Sequence, residues 1–282
     1  MIRGRNNAAI AVRRPNGEIA VRIERIDSRG YGRLRGIPFL RGLIILWEAL
    51  SLGIRSLLYS ANVALEEEEV QLTGAKAWVT MAPALIFALA VFFVLPLLLV
   101  TWLDRHMQSA IVSNLVEGVV RLAVFLLYLK VISLMRDIQR VFAYHGAEHM
   151  AIHTYENRWP LEVASARSFS TAHPRCGTAF LLIVMVVAIV VFALLGQPTL
   201  WLRIISRIVL VPVIAGISYE LMRLTAAHVA NPVARLISAP GMALQAMTTR
   251  PPDDSQIEVA LTALRESLVA DGALPQEQAA QT

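Results

Sequence analysis

Residues 176–202 read CGTAFLLIVMVVAIVVFALLGQPTLWL and residues 77–103 read AWVTMAPALIFALAVFFVLPLLLVTWL; neither run holds a charged side chain. A helix needs roughly 20 apolar residues to cross the hydrocarbon core of a bilayer, so each run is long enough. The mean hydropathy of the chain is +0.56. Of its 282 residues 17% are charged, against about a quarter in a soluble domain. Two more segments, about 112–135 and about 204–222, fit a span although they contain charges. In the first of these Glu117 and Arg121 stand four apart, the spacing of a structural ion pair within a helix. The expected fold class is an all-α membrane protein with about four transmembrane helices, two in 76–135 and two in 178–224.

Working outward, residues 1–36 form a separate segment. Ile10 and Val12, then Pro15-Asn16-Gly17, then Ile19, Val21 and Ile23 describe a β-hairpin with an Asn-Gly turn. Gly30, Gly32 and Gly36 loosen the stretch after it. Residues 37–75 hold a helix of about 38–65 opened by Pro38, then an acidic run, Glu66–Glu69, read as a solvated connector. Arg41, Glu48 and Arg55 recur every seven residues along that helix, so it reads as interfacial or packed on the bundle rather than as a span. Residues 225–282 make a tail. In it Asn231-Pro232 can end a helix, and Ser255-x-x-Glu258 resembles a capping box. Ile257, Leu261, Leu264 and Leu268 form one stripe of an amphipathic helix of about 255–270, and an Ala/Gln-rich end from Asp271 reads as disordered.

Orientation follows from the basic residues. Eleven arginines and no lysine lie in residues 1–75, and Arg136, Arg140, Arg158, Arg167 and Arg175 lie in 136–175. The connections 104–111 and 197–206 carry one arginine each, Arg105 and Arg203. The positive-inside rule puts both termini and the 136–175 loop in the cytoplasm, in a multi-pass protein of the bacterial inner membrane. The net charge of +5 then reflects topology, and no nucleic-acid partner is expected. There is no cleavable signal peptide, because the basic start MIRGRNNAAIAVRR lacks an apolar core segment after it. A single cysteine, Cys176, excludes an internal disulfide and fits a reducing compartment.

Chemistry is concentrated in His145–Glu156, HGAEHMAIHTYE. With His145 at 0° on a helical wheel, His149 falls at about 40°, His153 at about 80°, Glu156 at about 20° and Glu148 at about −60°. These five titratable groups share one face. His145-x-x-Glu148-His149 has the inverted zincin spacing, two histidine ligands beside a glutamate. The topology brings three more residues to the same membrane boundary: His173 and Cys176 from His173-Pro174-Arg175-Cys176, and Glu220 near the inner end of the last span. Imidazole, thiolate and carboxylate are ligands for a divalent metal ion, zinc foremost. The expected ligands are His145 and His149, completed by His173, Cys176 or Glu220, with Glu148 as the general base. About 16 Å separates His145 from Glu156 along a helix, so one ion cannot use the whole row. His153 and Glu156 would then be outer residues or a second site. Plainer readings exist for each: a solvated histidine face, a small buried cysteine at a helix start, a carboxylate that reaches water or pairs with Arg223. His106 and His228 carry no motif.

HGAEHMAIHTYE, STAHPRCGTAFLL, GISYELMRL and AMTTRPPDDSQIEVAL, in that order, resemble the YqhQ-like bacterial membrane proteins, domain-of-unknown-function family 1385. The resemblance covers nearly the whole chain. It implies a metal-dependent membrane enzyme of unstated substrate and marks His145, Glu148, His149, His173, Cys176 and Glu220 as motif positions. Met1-Ile2-Arg3-Gly4 matches the end of the family's glycine-rich start, which implies that the natural start lies upstream. The function expected is a metal-dependent hydrolase at the cytoplasmic membrane surface, acting on a carbonyl or phosphoryl group of a peptide or lipid-linked substrate. The alternative is a non-enzymatic membrane scaffold or biogenesis factor with a structural metal site. A transporter ranks third, since the first and third spans have almost no polar residues.

Overall fold

The computed structural model describes residues 1–26, 34–66, 74–103, 109–174, 176–196, 199–228 and 230–275. Gly30, Gly32, Glu67–Glu69, Arg105, His106, Arg175 and the tail beyond 275, all of which carry expectations above, lie outside these residues.

Three short strands open the chain: β1 (Ile2–Arg3), β2 (Asn7–Arg13) and β3 (Ile19–Arg25), in one antiparallel sheet of order β1-β2-β3. Arg13 pairs with Ile19. The hairpin then closes with Gly17 N–H donating to Arg14 O at 3.0 Å and Arg14 N–H to Glu18 O at 2.8 Å. Pro15 and Asn16 are the centre of the turn, and Gly17 comes next at φ 91°, the left-handed position that three-residue hairpin loops require.

The helices are α1 (Leu40–Ala64), α2 (Ala75–Leu89), α3 (Leu95–Leu103), α4 (Ala110–Ile132), α5 (Arg136–Glu156), α6 (Val163–Ala166), α7 (Gly177–Leu194), α8 (Leu200–Ala227), α9 (Pro232–Thr248) and α10 (Asp254–Ala270). The fold class is therefore as expected: an all-α membrane protein with three to four candidate spans and a small N-terminal sheet. The apolar run 77–103 is not one regular helix. A π-helical turn, Ala90–Val94, joins α2 to α3 just before Pro96, which has no N–H to give the ladder. Helix α4 ends in a bend of 99°, and α5 continues in a new direction. That bend turns the histidine helix away from the axis of α4.

Helix α1 is long and apolar enough to cross a membrane by length and composition. Its three regularly spaced charges are nonetheless all engaged by the protein. Arg41 pairs with Glu220 of α8, Glu48 with Arg3 of β1 at 2.8 Å, and Arg55 with Glu24 of β3 at 3.4 Å. Charges 14 residues apart span ~21 Å of helix, so α1 is tied to α8 at its start and to the sheet beyond.

The sheet, α5, α6 and α10 form a compact unit around Ile2, Ala147, Met150, Ala151, Ala166, Ile257, Ala260, Leu261, Ala263 and Leu264. The stripe expected on α10 is buried: Ile257, Leu261 and Leu264 are each at most 4% exposed. Its capping box lies two residues earlier than the sequence suggested. Asp253 accepts from Gln256 N–H while the Gln256 side chain accepts from Asp253 N–H. Two expectations about the tail are corrected. Asn231 does not end a helix but caps α9, with Pro232 in the first turn, where its missing N–H costs nothing. Asp271 is ordered, and its carboxylate accepts from the Arg5 and Asn6 backbone and the Asn7 side chain. The C-terminal helix is thus tied to the N-terminal sheet.

Candidate metal centre

Helix α5 carries His145, Glu148, His149, His153 and Glu156, and its buried face includes Ala143, Gly146, Ala147 and Ala151. Those small residues let other backbone approach. A Cβ on Gly146 would stand 2.4 Å from Arg250 O, so glycine is what allows the segment after α9 to cross the helix there. That crossing is held by Arg250 N–H donating to Phe142 O at 3.0 Å. It brings Thr248 O to 2.9 Å from His145 Nδ1. The loop before α7 lies along the other side, with Thr171 O at 2.6 Å from His149 Nδ1 and Ala172 O at 2.9 Å from His153 Nε2.

These carbonyls accept only, so each ring must donate to them. In their neutral form His145 and His149 thereby hold their protons on Nδ1 and would offer the Nε2 lone pair to an ion, the arrangement that orients histidine ligands of metals; without an ion, a protonated Nε2 can donate to a neighbouring acceptor. His145 Nε2 lies 3.2 Å from Cys176 Sγ. The donor atoms of His145, His149 and Cys176 all lie within 4.8 Å of one another. Tetrahedral bonds of ~2.0–2.3 Å place neighbouring ligand atoms ~3.5 Å apart, so this group fits a divalent ion.

Cys176 is the N-cap of α7, and its sulfur also meets Thr178 Oγ1 at 3.2 Å and Thr178 N–H at 3.4 Å. Burial alone would raise its pKa, but hydrogen bonds from His145, His149 and Thr178 outweigh burial and lower it to about 5. For His145 burial lowers the pKa, yet the Cys176 sulfur, the Thr248 carbonyl and Glu148 together leave it raised. That shift favours the thiolate, the form that binds metals.

His173 joins a different trio. Its Nε2 is 3.2 Å from Glu156 Oε2, and its ring centroid is 4.6 Å from that of His153. Donor atoms of His153, Glu156 and His173 again lie within 4.8 Å of one another. The trios adjoin, with the His149 and His173 rings 5.8 Å apart. Burial, the largest influence, leaves the pKa of His173 lowered despite the Glu156 carboxylate.

Glu148 faces the same cavity, of about 640 Å³, whose lining includes His145, His149, Glu156, His173 and Cys176. It accepts from the Met1 amino group and belongs to neither trio. Glu220, expected as an alternative ligand, is likewise in neither trio among the described residues. Arg41 takes both its oxygens and Phe39 N–H donates to it at 3.2 Å. The reason is the course of α1, whose first turn sets a guanidinium against α8.

Gln245 is the residue that sequence reasoning missed. It is fully buried on α9. Its Oε1 accepts from His173 N–H at 2.8 Å and its Nε2 donates to His173 O at 3.0 Å. This two-point grip holds the backbone of His173 in place. A lone amide in the apolar stretch GMALQAM was the available signal.

Residues 37–270 match the model of a family described as "Protein of unknown function (DUF1385)". The chain is 33% identical over 293 residues to "Uncharacterized protein YqhQ" of Bacillus subtilis (strain 168), an alignment covering 99% of this chain and 92% of that protein. No solved structure matches.

Proposed function

We propose that this chain, which belongs to the DUF1385 family, is a metal-dependent hydrolase working at the cytoplasmic face of a bacterial inner membrane. The observation that carries the reading is the trio His145, His149 and Cys176, with both rings oriented by main-chain carbonyls and a cavity beside them. Three protein ligands leave a tetrahedral ion one open position, as catalytic zinc sites do, whereas structural sites use four. That count favours the enzyme over the scaffold. A bound divalent ion, zinc by the thiolate and imidazole donors, would polarise water and a substrate oxygen.

The residues of the chain divide the remaining work. Thr248 and Thr171 fix the ring tautomers. Glu148, about 30% exposed on its side chain, stands at the cavity as the group that takes the proton from the attacking water. The cavity lies where α5 meets the start of a span at Cys176, a position suited to a peptide or lipid-linked substrate drawn from the bilayer surface. The arginine distribution supports the cytoplasmic side, and α10 packs on both α5 and β2, so one side of the membrane accounts for both ends of the described chain.

The test compares two substitutions in the purified protein and in a deletion strain. His149→Ala should empty the site. Glu148→Gln keeps size and hydrogen bonding, so it should retain the metal while abolishing the cellular phenotype that the gene supports. Full complementation by Glu148→Gln with metal retained would end the hydrolase reading in favour of a structural site.

A further inference from the structure

We infer that His153, Glu156 and His173 form a second binding site for a divalent transition-metal ion, next to the first and opening into the same cavity. The inference stands on different residues from the hydrolase reading and does not require it. Two of the donors are on the last turns of α5, three residues apart and so on one face. The third comes from the loop before α7, where Gln245 grips its backbone from both sides. His173 Nε2 and Glu156 Oε2 stand 3.2 Å apart, close to the ~3.4 Å edge of a tetrahedron with bonds of ~2.1 Å.

The side chains are oriented as ligands are. His153 gives its Nε2 proton to Ala172 O at 2.9 Å, which turns Nδ1 into the lone-pair nitrogen. Phe169 stacks on the same ring at 6.0 Å and 15°, and limits its rotation. His173 is 4% exposed, so the site is dry on one side, while Glu156, with 36% of its side chain exposed, opens it on the other. Two imidazoles and a carboxylate, without sulfur, make a harder donor set than that of His145, His149 and Cys176. The two sites would therefore differ in metal preference.

The experiment uses the full chain in detergent, carrying a tag without histidine, stripped with chelator and reloaded with Co²⁺ or Zn²⁺. Bound metal is counted per chain by elemental analysis. Co²⁺ on the first site gives a thiolate charge-transfer band, and Co²⁺ on the second does not. Wild type should bind two ions. Glu156→Gln should bind one and keep the thiolate band; Cys176→Ser with His149→Ala should bind one without it. Circular dichroism and gel filtration check folding, and His153→Gln replaces Glu156→Gln if the latter aggregates. A single ion in wild type, unchanged by Glu156→Gln and His153→Gln, would overturn the second site and leave the first standing. A single ion lost in every variant would mean one shared centre, which also overturns it. No ion in well-folded wild type would remove both.

Discussion

Cys176 and His145 form the most polarised contact of the site. The sulfur is 3.2 Å from the imidazole Nε2, with the first N–H groups of α7 behind it. Because the thiol pKa is lowered to about 5, its thiolate contributes stability that is present above the ordinary value of 9.0 and is lost as pH falls through about 5. His145 has the opposite sign. Its pKa is raised, so its contribution is present below the ordinary value of 6.5 and is lost as pH rises through the folded value. Folding thus moves a proton from sulfur toward imidazole. In metal-free protein the ultraviolet absorbance of the thiolate should titrate near pH 5 and be absent in Cys176→Ser. A midpoint in the ordinary thiol range, about 8.5, would show that the contact is not made. At this scale the sequence was informative about which residues converge, since periodicity put His145 and His149 on one face. It could not say which of His173, Cys176 and Glu220 lies in one donor trio with them, because that depends on a guanidinium on α1 and an amide on α9.

At the scale of elements, α10 holds the site unit together. It buries Leu261 (2% exposed) between α5 and the sheet, and a cavity at such a position is destabilising beyond the lost transfer free energy. Leu261→Ala should lower unfolding free energy by about 2–5 kcal/mol, read as a reduced melting temperature of the purified protein, with helicity retained below the transition. A change within about 0.5 kcal/mol would mean that the helix is not packed as described. The helix itself was legible from its stripe, since Ile257, Leu261, Leu264 and Leu268 recur at helical spacing. Its cap was misplaced by two residues because Ser255 and Asp253 both offer acceptor oxygens, and only the backbone course selects Asp253. Helix α9 escaped notice for a related reason. Pro240 interrupts its pattern, and Asn231-Pro232 reads equally well as an end or a beginning.

At the scale of the molecule, three stretches far apart in sequence meet: the sheet at the start, the histidine helix in the middle and α10 near the end. A consistent orientation must put all three on one side of the bilayer, and the proposed function takes that side to be the cytoplasm from the arginine distribution. Cysteine labelling from outside intact cells, at exposed Pro160→Cys on a Cys176→Ala background, should give no signal until the membrane is opened. Labelling of intact cells would reverse the orientation. The uncharged runs made the membrane class legible, but the spans only in part: Gly177–Leu194 is long and apolar enough to cross, whereas 77–103 is broken and Leu40–Ala64, read as no span, is long and apolar enough. The π-turn before Pro96 and the 99° bend after α4 were not legible, because hydropathy reports length and composition but not the direction of the helix axis. The central claim is that His145, His149 and Cys176 hold one ion together. X-ray absorption at the metal edge of zinc-loaded protein measures it directly. The account predicts a sulfur neighbour at about 2.3 Å and nitrogen or oxygen neighbours at about 2.0–2.1 Å, with the sulfur contribution lost in Cys176→Ser. Tightly bound zinc with no sulfur neighbour in the wild-type protein would contradict it.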